Sequence, residues 1–495
     1  MRKAISKNRI AEDSFALTSM KLLTMVTSIA CTMILSHSIP LTEYGTYSTG
    51  NLIISTATSI SAFGLLDSVN YYYNATTGEE RNCYINTVIA LVLICGILGG
   101  FFIFLGRGLI SAYFHNPALA SIYGYILFRP VLANLGECFQ YIQVSIGKAK
   151  IVALRNGLIS IAKLAAVTFT AFYTQNIAAI FAFMLIAEAF SALFYYAILV
   201  RNHVHICPQK FDFSKVQEIM GYCVPMGIYI QANVISRDLD KFVIGFFEQT
   251  DQLAIYANCA GKLPLNILSS PLLIVTIPVL TRCIRNDEYE NAAQLFRGNI
   301  KIGCTFTLAS GVMVIVLAGQ AIQFLYGELY LSGLGVFVLY IIVDILNFVS
   351  FSLVLAAKGK TGTLMVVSCT ALLANLILNF LLYFLLGFIG PAIATVLVTC
   401  LTNLALLKIS GNVLNTPLKR LFDLKYMVKL SVELAGTALA AYILRQKACE
   451  IGIHYMGILI VLGGGGVACI LALNYQELVH TFQEMNCIYS QSGPQ

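Results

Sequence analysis

Six positively charged residues lie inside or at the edge of long apolar runs, where a charge is unfavourable unless it faces protein or water. They are Lys21, Arg129, Lys163, Arg237, Lys241 and Lys262. A charge at the centre of a bilayer costs about 2.5–3.5 kcal/mol on insertion scales. The cations are therefore expected to face a hydrated cavity, where Lys and Arg side chains form charge-assisted hydrogen bonds with anions such as phosphate.

Polar residues accompany these cations at helical spacing. The stretch from residue 221 to 284 holds two apolar runs joined by the polar turn 248–251. Its stripes are Tyr229, Asn233, Arg237 and Lys241 in the first run, and Asn258, Lys262 and Asn266 in the second. Further stripes join Lys21 to Thr24, Ser28 and Thr32, and Lys163 to Asn156 and Ser160. We predict an aqueous cavity lined by these residues and Asp240, with Arg237, Lys262 and Lys21 at its centre.

Structural roles are the alternative for each charge. Lys21 and Lys241 can extend to a membrane interface. Arg129 can pair with Glu137, and Arg237 can be neutralised by Asp238 or Asp240. The carboxylates of Glu188 and Asp344, each alone in an apolar run, are either proton or ion carriers or hydrogen-bonded structural groups.

The composition indicates a polytopic membrane protein. Of the 495 residues, 58% are hydrophobic and only 11% are charged, against about 25% in a soluble domain. A span needs about 20 mostly apolar residues, and the sequence predicts fourteen. They cover residues 14–37, 44–66, 85–106, 119–145, 152–173, 177–200, 217–246, 252–281, 299–319, 332–356, 362–385, 388–409, 426–444 and 453–474.

The basic residues predict the orientation. With the N-terminus in the cytoplasm, 22 of the 31 Lys and Arg residues fall in cytoplasmic segments. The opposite side holds only Arg107, Arg445 and Lys447. This asymmetry predicts that both termini are cytoplasmic. Because the net charge of +7 is scattered over short loops, it indicates topology rather than a nucleic-acid partner.

Two pairs of short segments predict an internal repeat. Residues 41–47 (LTEYGTY) correspond to residues 250–256 (TDQLAIY), and residues 176–180 (NIAAI) correspond to residues 389–393 (IGPAI). Spans 1–6 and 7–12 are therefore expected to be related halves in the same orientation, a common transporter plan. The predicted divisions are 1–210, 211–412 and 413–495. The last contains spans 13 and 14 and a tail after Asn474 that is expected to be polar and mobile.

Enzyme and metal signatures are weak. The segment from Lys358 to Gly362 lacks the first glycine of a phosphate-binding loop. His203, His205 and Cys207 have too few neighbouring ligands for a metal site. No nucleophile–base set is recognisable, so we expect neither an enzyme nor a bound cofactor.

Five short segments resemble the polysaccharide-export and O-antigen (Wzx-like) flippases of the multidrug/oligosaccharidyl-lipid/polysaccharide (MOP, MATE-like) superfamily. The segments are residues 41–47 (LTEYGTY), 63–66 (FGLL), 240–245 (DKFVIG) with 255–257 (IYA), and 387–395 (GFIGPAIAT). The resemblance covers nearly the whole chain. It implies an all-α protein with two six-helix lobes around a central cavity, followed by two further helices.

The resemblance also implies a function. It is export of an undecaprenyl-diphosphate-linked oligosaccharide across the bacterial cytoplasmic membrane by alternating access, with the lipid tail among membrane lipids. H⁺ or Na⁺ as coupling ion and a polysaccharide polymerase as partner are further expectations. A drug/cation antiporter of the same superfamily is the alternative, and it would favour acids over cations in the cavity. Since the chain has no Trp, aromatic contacts to sugars must come from Tyr and Phe.

Overall fold

The computed structural model describes residues 2–146, 148–202, 211–261, 263, 265 and 270–491. Every regular element in these ranges is helical, which confirms the all-α prediction. The first ten α-helices are α1 (Arg2–Ser38), α2 (Leu41–Ala62), α3 (Leu65–Ala75), α4 (Gly78–Leu105), α5 (Arg107–Tyr113), α6 (Tyr123–Ser145), α7 (Ala149–Phe169), α8 (Ile177–Arg201), α9 (Phe213–Phe247) and α10 (Thr250–Cys259).

Twelve further helices follow. They are α11 (Ser270–Arg285), α12 (Tyr289–Val316), α13 (Ala318–Leu325), α14 (Leu334–Leu346), α15 (Leu353–Ala357), α16 (Thr361–Leu386), α17 (Gly390–Val413), α18 (Leu418–Leu421), α19 (Leu424–Glu450), α20 (Tyr455–Ile458), α21 (Gly465–Leu473) and α22 (Tyr475–Gln491).

The helices mark a multi-pass membrane protein. In the described ranges, ten are long and apolar enough to cross a membrane, and eleven if the bent pair α2–α3 is one span. One of the ten is a 53-residue stretch, in which α16 and α17 pack on each other and cover two predicted spans. Two predicted spans remain. Span 119–145 contains the charged residues Arg129 and Glu137 of α6, and span 252–281 includes residues outside the described ranges. The count of fourteen therefore stays a prediction.

The chain forms two compact units, residues 1–254 and 255–495. In the first unit, α1 packs on α7, α4 on α6, and α6 on α8. Its core includes Val69, Val88, Ile142 and Tyr195, all buried. Helix α9, the first helix of the predicted second lobe, packs in this unit against α2, α3 and α4. The lobe limits predicted from the sequence stay a prediction.

In the second unit, α12 is the central helix. It contacts α11, α14, α19, α21 and α22. Its buried residues Leu295, Phe296 and Ile300 belong to one core with Val354 and Leu421. Neighbours on several sides leave α12 few faces for solvent or lipid. Since all these neighbours pack on the same helix, α12 determines where they can lie.

The two units repeat one order of elements. In the first, the 28-residue α4 is followed by α5, a 3₁₀ turn at Pro117–Ser121 and α6. In the second, the 28-residue α12 is followed by α13, a 3₁₀ turn at Glu328–Gly333 and α14. Helices α4 and α12 begin 211 residues apart (289 − 78 = 211), and the same offset separates α5 from α13 and α6 from α14. This order agrees with the repeat predicted from the short sequence matches.

The segment after Asn474 is a docked helix, where the sequence suggested a mobile tail. Helix α22 packs on α12 and buries Leu478, Met485 and Ile488. A Cβ atom at Gly298 of α12 would lie 2.6 Å from the Met485 sulfur, so a larger residue at this position would force the Met485 side chain to shift. Lys301 Nζ lies 2.6 Å from Glu477 Oε2, and this bond holds the pKa of the Glu477 carboxyl below its usual range.

We expect Met485→Ala to destabilise the second unit by about 2–5 kcal/mol, since truncating a fully buried Met leaves a cavity. Thermal unfolding of the purified protein in detergent would measure the loss. Proteolysis near residue 475 should accelerate in parallel, because α22 would detach more often.

The matched control is Phe482→Ala on the same helix, where the side chain is exposed. A surface change of this kind should stay within about 0.5 kcal/mol. Equal effects of the two variants would contradict the docking of α22 through its Met485 face.

Candidate functional site

The cations of α9 form an ion-paired group. Helix α9 begins after Asp212, whose carboxylate accepts the Ser214 N–H at 2.9 Å. Further along, the Asp238 carboxylate accepts from Arg237 Nη2 at 3.0 Å and from Lys241 Nζ at 2.8 Å. Two cations and one carboxylate leave this trio with a net charge of +1.

Exposure differs sharply within the trio. The Arg237 side chain is 50% exposed, whereas those of Asp238 and Lys241 are 10% and 16% exposed. A guanidinium group carries five N–H donors, and the bond to Asp238 uses one Nη group. Arg237 therefore presents a cation with further donors at the surface of a span helix, where facing lipid would be costly.

The rest of the α9 stripe is divided between two environments. Asn233 is exposed and donates to the Tyr229 carbonyl at 2.7 Å. Asp240, which the sequence suggested as a cavity residue, is fully buried within the first unit. The structure thus brings Asn233 and Arg237 to one exposed face and places Asp240 away from it.

Helices α1 and α7 carry two further cations of the first unit. Lys21 is exposed on α1, as are Thr24 and Ser28. The Ser160 hydroxyl of α7 donates to Thr24 Oγ1 at 3.0 Å, which fixes the two helices side by side. Lys163 is half-buried on α7 and, together with Glu188, lines a small cavity of about 20 Å³.

Arg129 and Glu188 form a bidentate ion pair between α6 and α8. Arg129 Nε lies 3.0 and 2.9 Å from the two carboxylate oxygens, and Nη2 lies 2.6 Å from Oε1. The side chains are only 11% and 14% exposed. The pairing of Arg129 with Glu137 that the sequence allowed is thus replaced by a partner on another helix. Both charges are engaged in packing the first unit.

The remaining predicted residues lie in the second unit or outside the described ranges. Asp344 Oδ2 accepts the Leu263 N–H at 3.1 Å, which supports the structural alternative for this carboxylate. Asn258 is buried. Lys262 and Asn266 lie outside the described residues.

Sequence reasoning missed two features of the first unit. Glu137 is exposed on α6, and its place inside an apolar run was visible in the sequence. Tyr71 and Tyr222 stack at 4.8 Å between ring centroids, and Tyr71 is 51% exposed. The run Tyr71-Tyr72-Tyr73 was the available signal for an aromatic surface, the kind of contact that a chain without Trp can offer to a sugar.

Metal ligation has no support in the described residues, where no group of three His, Cys, Asp or Glu side chains is close enough to hold an ion. His203, His205 and Cys207 lie outside them. The thirteen cysteines within the described ranges are free thiols.

The fold resembles solved transporters. The structure titled "Lipid II flippase MurJ, inward closed conformation" superposes with a TM-score of 0.74 at 17% identity, covering 95% of this chain and 100% of that one. An inward-facing multidrug resistance MATE transporter of the MOP superfamily gives 0.64 at 14%, covering 81% and 99%. A MOP superfamily transporter from Pyrococcus furiosus, whose title describes a binding pocket of reverse polarity, gives 0.60 at 14%, covering 83% and 96%.

These identities establish the fold alone, which is that of MOP superfamily transporters. No curated protein matches the chain. The family described as "Polysaccharide biosynthesis protein" matches residues 34–333, which is more than half of the chain. The resemblance noted in the sequence is thereby confirmed: the chain belongs to the polysaccharide biosynthesis protein family.

Proposed function

We propose that this chain is a flippase, a transporter rather than an enzyme. It would move an undecaprenyl-diphosphate-linked oligosaccharide across the bacterial cytoplasmic membrane by alternating access, for cell-surface polysaccharide synthesis. Membership of the polysaccharide biosynthesis family supports this role. The MOP transporter fold supports a membrane translocation mechanism.

The observation that carries the proposal is the half-exposed Arg237 on a span helix. A diphosphate needs donors that remain charged at every physiological pH, and a guanidinium group provides them in a planar fork. Asp238 holds the arginine in place through one Nη group and leaves the other donors for phosphate oxygens. Lys21 is a second exposed cation on a span helix of the same unit. Lys262 keeps its proposed role on sequence grounds.

The contacts of the two acidic residues Glu188 and Asp344 also bear on ion coupling. Glu188 is held by Arg129, and Asp344 accepts a backbone N–H. Both contacts favour structural roles. A drug/cation antiporter would favour exposed acidic residues on the spans. The exposed Glu137 on α6 is the observation that supports this alternative. We place the flippase first because Arg237 and Lys21 are exposed in the same unit.

Transport in proteoliposomes tests the proposal. The probe is a fluorescent undecaprenyl-diphosphate N-acetylglucosamine, whose label is quenched by an impermeant reductant only on the outer leaflet. We expect the protein to increase the quenched fraction beyond that in empty liposomes. Accumulation or efflux of ethidium without movement of the lipid probe would instead support the antiporter.

A further inference from the structure

A polar cavity lies at the far end of α9 from Asp212. Its volume is about 560 Å³, and all its lining residues belong to the first unit. They are Thr42, His115, Phe247, Glu248, Gln249, Thr250 and Asp251. None of them belongs to the candidate site around Arg237. The charge asymmetry of the loops predicts that this end faces the outside of the cell.

Three segments fix the walls of the cavity. The turn after α5 holds His115 at a φ of 49°, and the His115 Nε2 atom lies 3.1 Å from the Phe246 carbonyl oxygen. Tyr113 donates its hydroxyl to the Phe242 carbonyl at 2.9 Å. On the other wall, a Cβ atom at Gly45 would lie 2.5 Å from the Thr250 carbonyl oxygen. The α9–α10 turn is thus clamped between α5 and the start of α2.

The Gly45 contact joins the two repeated segments of the sequence. Residues 41–47 open α2, and residues 250–256 open α10. Gly45 and Thr250 both belong to the first unit, and their contact gives the cavity a wall built from the starts of the two matching segments. A turn fixed from both sides presents its polar side chains in a defined arrangement, as a binding site requires.

The lining chemistry selects a polyhydroxylated ligand. Glu248 and Asp251 supply carboxylate acceptors, while Thr42 and Gln249 supply further hydrogen-bonding groups. The Phe247 ring offers an apolar surface beside these groups. Two carboxylates disfavour a phosphate, and a single phenyl ring gives little area for an apolar drug.

We propose that this cavity binds sugar residues of the exported oligosaccharide. The inference rests on the proposed flippase function and adds a second substrate-binding position, for the sugars, to the one proposed for the diphosphate. Arg237 lies on α9 and Glu248 is the first residue after its end, eleven positions further on, so the two are about 16 Å apart along the helix axis at 1.5 Å per residue. Helix α9 would thus present a cation for the diphosphate and, further out, acceptors for the hydroxyl groups of the sugars.

The absence of Trp from the chain provides a direct reporter. Phe247→Trp places a single indole at the cavity wall, and its emission should change on binding. The probes are glucose, galactose, glucosamine, N-acetylglucosamine and N-acetylgalactosamine, titrated to millimolar concentrations against the full-length protein in detergent. We expect a saturable change with at least one of them. Adding Asp251→Asn should weaken that binding at least tenfold, because the amide is a poorer acceptor for sugar hydroxyls.

Two further variants keep the result interpretable. Gln249→Trp is a second reporter at an exposed lining position, for use if Phe247→Trp does not fold. Phe384→Trp, on the exposed face of α16 in the other unit, should not respond to any sugar.

No saturable response from a folded reporter, or an equal response from Phe384→Trp, would overturn the proposal. Lipid-probe transport without a sugar response would reject only the cavity. A sugar response without transport would reject the flippase and leave a sugar site.

Discussion

Arg237→Glu is expected to abolish glycan export, and Arg237→Ala is expected to reduce it by about 10- to 100-fold. A hydrogen bond to a charged group contributes about 1.5–3 kcal/mol, which corresponds to that range in affinity. Glutamate should be worse than alanine because it adds a negative charge beside Asp238 and repels the diphosphate. Arg237→Lys should restore only part of the activity, since an ammonium group cannot bind phosphate through a planar fork. Complementation of a flippase-deficient host, normalised to protein level, measures these effects.

The geometry makes this test specific to function. In Arg237→Ala, Asp238 keeps its bond to Lys241 at 2.8 Å, so the buried carboxylate stays neutralised and folding should be preserved. Lys360→Glu is the control, because Lys360 is exposed before α16 and outside the spans. Export by Arg237→Glu at the parental level would remove Arg237 from diphosphate recognition.

Breaking the pair between Arg129 and Glu188 should destabilise the first unit by about 3–5 kcal/mol. Removing one partner of a buried ion pair leaves the other charge uncompensated. We therefore expect Arg129→Met to lower the thermal unfolding temperature strongly, and the double variant with Glu188→Met to recover most of the loss. Circular dichroism of the purified proteins in detergent measures both.

The same variants separate a structural role from ion coupling. If Glu188 carries a coupling proton, Glu188→Gln should unfold like the parent while transport loses its pH dependence. If Glu188 holds α6 to α8, Glu188→Gln should lose stability first. A stable Arg129→Met protein would contradict the structural role of the pair.

The helices and the family could be predicted from the sequence because both depend on local patterns. Apolar runs of membrane length predict all-α structure without knowledge of the packing. The stripe on α9 was less reliable for a physical reason. Positions four apart rotate by about 40° at each step, so Tyr229 and Lys241 differ by about 120° around the helix. Arg237 is accordingly exposed while Lys241 turns towards Asp238.

Contacts between distant segments could not be predicted in this way. Arg129 and Glu188 are 59 positions apart on different helices, and no local spacing relates them. The docking of α22 did leave a signal. Leu478, Thr481, Met485 and Ile488 are buried and follow a spacing of three, four and three, the pattern of a helix with one packed face. The polar composition around them concealed this pattern.

The packing of α9 has a consequence for how the protein is made. A chain emerging from the ribosome inserts its helices in order, and domains generally fold as units from the N-terminus. Since α9 packs against α2, α3 and α4, the first unit stays incomplete until synthesis has passed residue 247. By then the first helix of the second repeat is already committed to the first unit. The nascent protein therefore cannot finish one half and start the other independently, and an arrest of translation between α8 and α9 would leave the α9-packing faces of α2, α3 and α4 uncovered.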